Sequence, residues 1–220
     1  MASYFHVTLD TTAPSDVALT INNGALYASS TAVNLNITLA DDQTEGYQMK
    51  IWGVAGAQEE AQAGWENFVP SKGVNLTDGD GRKTVFLKLR DDVGNESLTV
   101  SAQITLNTSV PVVTVTGPDR SRISTEDGFG KSVFHFSADV PFEAYKVCVV
   151  PAVSAQQEEG ISIPTEGGSL NTSGEEGGYP ASTDVEVTIT GADLARVSPG
   201  DGVKVVKVFV RNASGIWSVV

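Results

Sequence analysis

The sequence of 220 residues predicts an all-β protein built from two tandem antiparallel β-sandwiches. The main observation is an internal repeat: Leu9–Pro14 returns as Leu106–Pro111, and Gly79–Gly94 returns as Gly200–Gly215. A second observation is that short apolar–polar alternations are separated by turn residues at intervals of about 8–12 positions. Solenoid units repeat every ~20–50 residues, so the longer spacing in this chain instead fits two complete small domains.

In the first copy, Val33–Leu39 alternates apolar residues with Asn and Thr, which predicts a strand with one buried face. Asn22–Gly24 precedes it and is typical of a tight turn, because Gly adopts a positive φ without steric cost. Tyr47, Met49 and Ile51 alternate in the same way and are expected to point inward. No segment has a helical period beyond one or two turns, so we expect negligible helix beyond single turns.

Each copy closes with a strand that follows a Gly-Asp-Gly turn. The two strands repeat three inward-facing apolar side chains at a spacing of 121 positions: Val85, Leu87 and Leu89 in the first copy, and Val206, Val208 and Val210 in the second. The outward-facing residues differ between the copies, which is the pattern expected of a common core under different surfaces.

The repeat places the domain boundary near residues 106–109, with one β-sandwich over 1–107 and a second over 108–220. The spacing between matched residues grows from 98 to 121 along the copies, so about 23 residues are added to the second copy after Gln156. The stretch at about 156–180 is rich in Gly, Ser and Glu, which is the composition of a loop. Such an inserted loop is either a binding element or merely mobile.

The formal net charge of −13 disfavours nucleic acid and anionic membrane surfaces as partners, because both require a cationic footprint. The first ten residues lack the basic and apolar regions of a secretory signal, and no apolar stretch approaches the ~18 residues of a membrane span. Cys148 is the only cysteine, which is compatible with a reducing compartment. If the sequence is complete, we expect a protein that stays inside the cell or is released by lysis.

The sequence predicts no catalytic, cofactor-binding or metal-binding residue, and we expect no cofactor and no enzymatic activity. The two histidines, His6 and His135, have no second ligand or nucleophile nearby in the sequence. Asp78–Asp80 and Glu126–Asp127 could offer oxygen atoms to calcium, but a turn is the preferred interpretation of both.

Three aromatic residues are the candidates for contact with a ligand: Trp65, Phe68 and Tyr179. Trp65 and Phe68 lie in a loop-like stretch, where an aromatic side chain stacks on a sugar, anchors a protein or plugs the end of the sandwich. The plug is the favoured alternative. Tyr179 lies at the end of the inserted loop, and Trp52 and Trp217 are expected to cover sheet edges.

The alternation in the second copy turns Cys148 and Val150 toward the outer face of their sheet, where apolar side chains require a cover. The expected cover is a set of apolar residues from the inserted loop: Ile161, Ile163, Leu170 and Tyr179. Cys148 is then expected to react slowly with thiol reagents until residues 157–178 are replaced by a short turn.

Leu9–Pro14 and Gly79–Ser97 resemble the opening and closing stretches of bacterial and phage immunoglobulin-like modules. The second copy follows the pattern less closely, with Asn212 where the pattern prefers Asp. The resemblance covers most of the chain and implies two tandem immunoglobulin-like antiparallel β-sandwiches.

The resemblance also implies a non-enzymatic function. A chain without a secretion signal is suited to assembly in the host cytoplasm, so we expect a structural or decoration protein of a phage particle. Such a protein docks on capsid or tail proteins and displays an immunoglobulin-like domain, with host surface carbohydrate and further copies of itself as partners. The expected location is the virion, without nucleic-acid binding or membrane insertion. The alternative is a carbohydrate- or protein-binding immunoglobulin-like module of a bacterial surface protein.

Overall fold

The computed structural model describes residues 3–41, 43–163 and 178–219. The chain forms two compact units, here called unit 1 (Met1–Asn107) and unit 2 (Thr108–Val220). Both units consist of short β-strands arranged in two facing sheets. The prediction of an all-β protein with two tandem β-sandwiches is confirmed. No helix among the described residues is long and apolar enough to cross a membrane.

Unit 1 is a sandwich of a three-stranded and a five-stranded sheet. Its strands are β1 (Ala18–Ile21), β2 (Tyr27–Ala28), β3 (Ala32–Thr38), β4 (Gln48–Trp52), β5 (Glu66–Asn67), β6 (Ser71–Asn75), β7 (Gly81–Arg90) and β8 (Val100–Leu106). One sheet has the order β1-β3-β6, and the facing sheet has the order β2-β8-β7-β4-β5. Every pair is antiparallel except β2 with β8, which is parallel. This arrangement of strands is immunoglobulin-like.

The core of unit 1 consists of the side chains that the alternation turns inward. Leu35 of β3 and Met49 of β4 are buried there, together with the three predicted apolar residues of β7. Tyr47 was expected to join them but is only half-buried, because it precedes the first paired residue of β4, Gln48. The prediction of which side chains of β7 are buried is therefore confirmed. The predicted start of β4 is one residue too early.

Unit 2 repeats the two-sheet arrangement. Its elements are β9 (Val113–Thr116), β10 (Lys131–Ala138), β11 (Ala144–Val150), β12 (Ile161–Ser162), β13 (Val185–Thr190), α1 (Gly191–Val197) and β14 (Val205–Arg211). The sheets have the orders β13-β10-β9 and β12-β11-β14, with all pairs antiparallel. Aromatic residues dominate the core between them: Phe134, Phe136, Phe142 and Tyr145.

Helix α1 is the exception to the expectation of negligible helix beyond single turns, because its seven residues make about two turns. Thr190 caps its start, since the Thr190 Oγ1 accepts a hydrogen bond from the Asp193 backbone N–H at 3.0 Å. Leu194 and Val197 pack against the core of unit 2. A helix this short is stabilised by tertiary packing, and it shows too few turns for its period to be recognised in the sequence.

The residues added to unit 2 lie in two connections, whereas the sequence predicted a single loop at about 156–180. The β12–β13 connection includes 164–177, and this stretch, with Leu170, lies outside the described residues. The β13–β14 connection, residues 191–204, stands where unit 1 has the short turn 76–80. Part of the added length therefore forms α1 at one end of the sandwich.

Cys148 is fully buried on the outer face of its sheet, but the predicted cover is wrong for Ile161, Ile163 and Tyr179, the three expected residues that the structure describes. Ile163 and Tyr179 pack with the main core of unit 2, and Ile161 is exposed. The turn before β12 and Trp217 cover it instead: a Cβ atom on Gly160 would lie 2.6 Å from the Cys148 Cβ, and Trp217 packs against the cluster that contains Cys148. Burial raises the pKa of the Cys148 thiol. Its slow reaction with thiol reagents stays a prediction.

Candidate functional site

After β4, the chain crosses the outer face of the five-stranded sheet before it returns as β5. This crossing segment, residues 53–65, is here called strap 1. It contains a 3-10 turn in which the side chains of Glu59 and Gln62 each accept a hydrogen bond from the other residue's backbone. The turn fixes the course of strap 1 and places Glu60 and Trp65 above the sheet.

The Trp65 ring lies over two cations of the outer face. The Lys50 Nζ is 4.9 Å from the ring centroid, and the guanidinium carbon of Arg90 is 4.4 Å from it. Lys50 belongs to β4 and Arg90 to β7, and these strands are neighbours in the sheet. The half-buried Trp65 therefore lies on the sheet across two strands, as a fixed aromatic surface.

The outer face of unit 1 carries three cationic side chains, Lys50, Lys88 and Arg90, in a protein with a net charge of −13. Lys50 and Lys88 lie directly opposite each other in the register of β4 and β7. Glu60 and Glu96 contact the Lys88 Nζ at 3.1 and 3.4 Å, and the hydrogen bond with Glu60 raises the pKa of Lys88. Lys88 is therefore paired with these glutamates. Lys50 and Arg90 are the cations that lie beside the Trp65 ring.

Phe68 and Trp52 pack against other side chains of unit 1. Phe68 is half-buried and packs against the core of unit 1, which matches the plug interpretation rather than a contact residue. Trp52 is buried and stacks on Phe86, which lies opposite it on β7, with the ring centroids 5.4 Å apart. β5 pairs only with Gln48 and Met49 of β4, so the expectation that Trp52 covers a sheet edge stays a prediction.

Tyr179 is held at the core of unit 2. Its ring stacks on Phe142 at a centroid distance of 4.7 Å and meets Tyr145 edge-on at 6.1 Å. The backbones of Tyr179 and Phe142 also exchange hydrogen bonds of 2.7 and 3.0 Å. Gly178 allows this close approach, since a Cβ atom there would lie 2.6 Å from the Phe142 carbonyl oxygen. Tyr179 therefore packs against the core of unit 2 and is not a freely exposed aromatic residue of a loop.

Unit 2 has a related cluster on the outer face of its own sheet. The Trp217 ring lies under Lys146 and Arg211, at 4.8 and 5.6 Å from its centroid. Arg90 and Arg211 occupy matched positions of the two closing strands. Trp217, however, also packs against the buried cluster around Cys148, and its backbone pairs with Arg211 of the edge strand β14.

Lys50 and Arg90 were not among the residues predicted to form a contact site. The available signal was their position, since both occupy outward positions of predicted strands. A long cationic side chain at such a position can lie along a neighbouring ring while its charge remains near water. Nothing in the sequence indicated that strap 1 would bring Trp65 to them.

The acidic turns weighed as calcium ligands are closed by their own hydrogen bonds. The Glu126 N–H donates to the Ser124 Oγ at 3.1 Å, and the Lys83 Nζ donates to the Asp78 carbonyl oxygen at 2.9 Å. Glu126 borders a cleft of about 560 Å³ in unit 2, next to Asp119. A hydrogen bond from the Val133 N–H lowers the pKa of Asp119. No group of three or more metal-ligating side chains occurs among the described residues.

No protein-family model and no curated protein matches the sequence. Among solved structures, the chain is similar to the fibronectin(III)-like modules of CbhA from Clostridium thermocellum, at 13% identity over 92% of this chain and 90% of that one, with a TM-score of 0.44. It is similar to the chitinase ChiA74 from Bacillus thuringiensis at 13% identity over 92% of this chain and 30% of that one, with a TM-score of 0.34. It is similar to the FN1–FN3 domains of chicken CNTN1 at 14% identity over 93% of this chain and 63% of that one, with a TM-score of 0.37. The chain spans less than two thirds of the latter two structures, and similarities at this level carry no argument about function.

Proposed function

We propose that this chain is a non-enzymatic binding protein of the immunoglobulin-like class, which uses the outer face of unit 1 to hold a surface carbohydrate. The observation that carries the proposal is the Trp65 ring fixed over Lys50 and Arg90. A ring that is already immobilised loses little conformational freedom when a flat sugar face stacks on it. The two cations favour a sugar that carries carboxylate or phosphate groups.

The context we propose is a bacterial surface protein in which the chain serves as a carbohydrate-binding module. Display on a phage particle is the second candidate. It is favoured by the exposed apolar residues at the start of the chain, which suit attachment to another protein: Tyr4, Phe5, Val7 and Leu9. Peptide mapping of purified particles tests this candidate, and absence of the chain from every particle would exclude it.

The test of the binding face is a titration of the protein with acidic and neutral bacterial surface polysaccharides, followed by Trp fluorescence and calorimetry. We expect the variant Trp65→Ala to bind at least about tenfold more weakly, which corresponds to about 1.4 kcal/mol. Trp65→Phe keeps a ring and should retain most of the affinity. Trp217→Phe is the matched control in unit 2 and should bind like the original protein.

One control measurement completes this test. Thermal unfolding must show that Trp65→Ala is folded, because loss of the ring also removes contacts with Lys50 and Arg90. The proposal would be wrong if a polysaccharide binds Trp65→Ala as well as the original protein, or if none of the acidic and neutral polysaccharides binds.

A further inference from the structure

Arg90 has a defined orientation on the outer face of unit 1. Its Nε and Nη2 both donate to the Gln48 Oε1, and the hydrogen bond from Nε is 2.7 Å long. Gln48 lies directly opposite Arg90 in the register of β4 and β7. The Trp65 ring covers one face of the guanidinium group, with its centroid 4.4 Å from the guanidinium carbon. The amide and the ring together fix both the direction and the plane of the guanidinium group.

The other N–H groups of the Arg90 guanidinium lie on Nη1 and Nη2, at the end of the side chain. Two parallel N–H bonds there have the spacing of the two oxygen atoms of one carboxylate. No described residue accepts a hydrogen bond from the Arg90 Nη1, since both hydrogen bonds of this side chain go to Gln48. Arg90 therefore presents an open fork to a planar acceptor, and Gln48 sets the direction of that fork.

Unit 2 has an arginine at the matched position without this orientation. Arg211 matches Arg90, but the residue opposite Arg211 on β11 is Ala144, whose side chain has no acceptor. The Arg211 Nε is buried and has no hydrogen-bond partner among the described residues. Its guanidinium carbon lies 5.6 Å from the Trp217 ring centroid, compared with 4.4 Å for Arg90 and Trp65. Of these two matched arginines, only the one in unit 1 is oriented by an amide.

The charge around Arg90 suits a ligand group with a single negative charge. Glu60 and Glu96 contact the Lys88 Nζ at 3.1 and 3.4 Å. With Lys50 and Arg90 included, three cations and two carboxylates give this surface a net charge of +1. A phosphate monoester carries about −1.5 to −2 at pH 7, and the two glutamates would repel the excess. A carboxylate matches the surface in both charge and shape.

We propose that the sugar chain held by unit 1 contains uronic acids, and that Arg90 binds the carboxylate of one of them through its Nη1–Nη2 fork, an inference that rests on the proposed function of Trp65. The guanidinium group lies on the sheet side of the ring, while a sugar stacks on the opposite side. The carboxylate therefore belongs to the sugar unit next to the stacked one. Lys50, with its Nζ 4.9 Å from the ring centroid, adds a second positive charge. Gln48 is a positioning residue, because it acts through Arg90.

The first part of the test changes only the ligand. Calorimetry compares alginate, polygalacturonate and hyaluronate with their carboxyl-reduced forms, in which each uronic acid is a neutral hexose. We expect at least one acidic polymer to bind. Its reduced form should bind at least about tenfold more weakly, because a charge-assisted bidentate contact is lost. A poly(glycerol phosphate) chain, which carries phosphate diesters, should bind no better than the reduced polymers.

The second part of the test changes only Arg90. Arg90→Lys keeps the positive charge but has no fork, so it should bind the acidic polymer at least about tenfold more weakly and the reduced polymer with unchanged affinity. Arg82→Lys is the matched control, because Arg82 lies eight residues earlier on the same strand and also donates to a glutamine, Gln103 of β8. This control variant should bind both polymers like the original protein.

A third variant tests the role of Gln48. Gln48→Met removes the acceptor with little change in size and leaves the Arg90 guanidinium without its fixed direction. It should bind the acidic polymer about threefold more weakly, as expected for the loss of a hydrogen bond that orients another group. Binding of the reduced polymer should not change. A merely structural role of Gln48 would weaken the binding of both polymers alike.

The possible results distinguish uronic-acid recognition from the proposed function. Acidic and reduced polymers that bind equally, or binding of poly(glycerol phosphate) alone, would overturn uronic-acid recognition. Equal losses for both polymers in Arg90→Lys would overturn it as well. In each of these cases the proposed function stands as long as Trp65→Ala still weakens the binding. If no polysaccharide binds the original protein, both proposals are wrong.

Discussion

The outer faces of the two units differ although the strands beneath them match. Lys88 of β7 and Phe209 of β14 occupy the same position in the repeat. Lys88 is half-buried and contacts Glu60 of strap 1 at 3.1 Å. Phe209 is fully buried in a small second core with Cys148, Val150 and Ala155. At this matched position the outer face of unit 1 is polar, and that of unit 2 is apolar.

In each unit, the segment that crosses the sheet matches the chemistry of the face below it. In both units a 3-10 turn, Glu60–Gln62 or Gln157–Glu159, precedes a short strand that pairs with β4 or β11. Strap 1 carries Glu60 and Trp65, which suit cations underneath. The crossing segment of unit 2 carries Gly160, which approaches an apolar surface closely. The same arrangement of a 3-10 turn and a short strand thus forms an ionic contact with the sheet in unit 1 and an apolar contact in unit 2.

The largest difference in the free energy of unfolding should appear when the matched outer residues Phe209 and Lys88 are each replaced by Ala. Phe209→Ala should destabilise unit 2 by about 4 kcal/mol, because it opens a cavity in a fully buried cluster. Lys88→Ala should cost unit 1 less than about 1 kcal/mol, because its ion pairs are partly exposed. Denaturant unfolding of both variants measures the two values. Equal losses would show that the two outer faces do not differ as described.

A smaller difference in the free energy of unfolding should appear between matched inner residues of the closing strands, Val85 of β7 and Val206 of β14. Val85→Ala removes two buried methyl groups and should cost about 2 kcal/mol, including the cavity that remains. Val206→Ala at the matched, half-buried position should cost about 1 kcal/mol or less. Denaturant unfolding of both variants measures the two values. An equal or larger loss for Val206→Ala would show that the two positions do not differ in burial as described.

The smallest effect concerns the turns after the closing strands, where Asp91 of unit 1 matches Asn212 of unit 2. Each side chain accepts hydrogen bonds from the backbone of its own turn. Burial alone would raise the pKa of the Asp91 carboxyl, but hydrogen bonds from Asn95, Gly94 and Val93 outweigh it and hold that pKa below its ordinary value. The carboxylate therefore stabilises unit 1 above about pH 4.

This stabilisation should be lost as the pH falls through the lowered pKa of folded Asp91. Asp91→Asn copies the residue of unit 2 and removes the titration. Unit 1 of the original protein should lose more stability between about pH 6 and about pH 3 than unit 1 of the variant. Urea unfolding at both pH values provides the comparison. An unchanged pH dependence in Asp91→Asn would assign the acid sensitivity to other carboxylates.

The inner face of each sandwich could be predicted from the sequence because burial follows the two-residue period of a strand. Leu35, Met49 and Val210 are buried at positions that the alternation assigned to the core. Of the three candidate contact residues, only Trp65 lies on an outer sheet face. Phe68 and Tyr179 pack with the cores, and the sequence offered no means of separating them, since an aromatic residue in a loop has the same local pattern in either role.

The sequence by itself determined the duplication, the strand period and the side chains that turn inward, because these depend on neighbours in the chain and on the repeat spacing. Only the tertiary structure decided that Phe209 is buried and that Trp65 lies over Lys50 and Arg90. These features depend on which distant segment lies against a face or an edge. Alternation states which way a side chain points, but burial depends on what the fold brings to meet it.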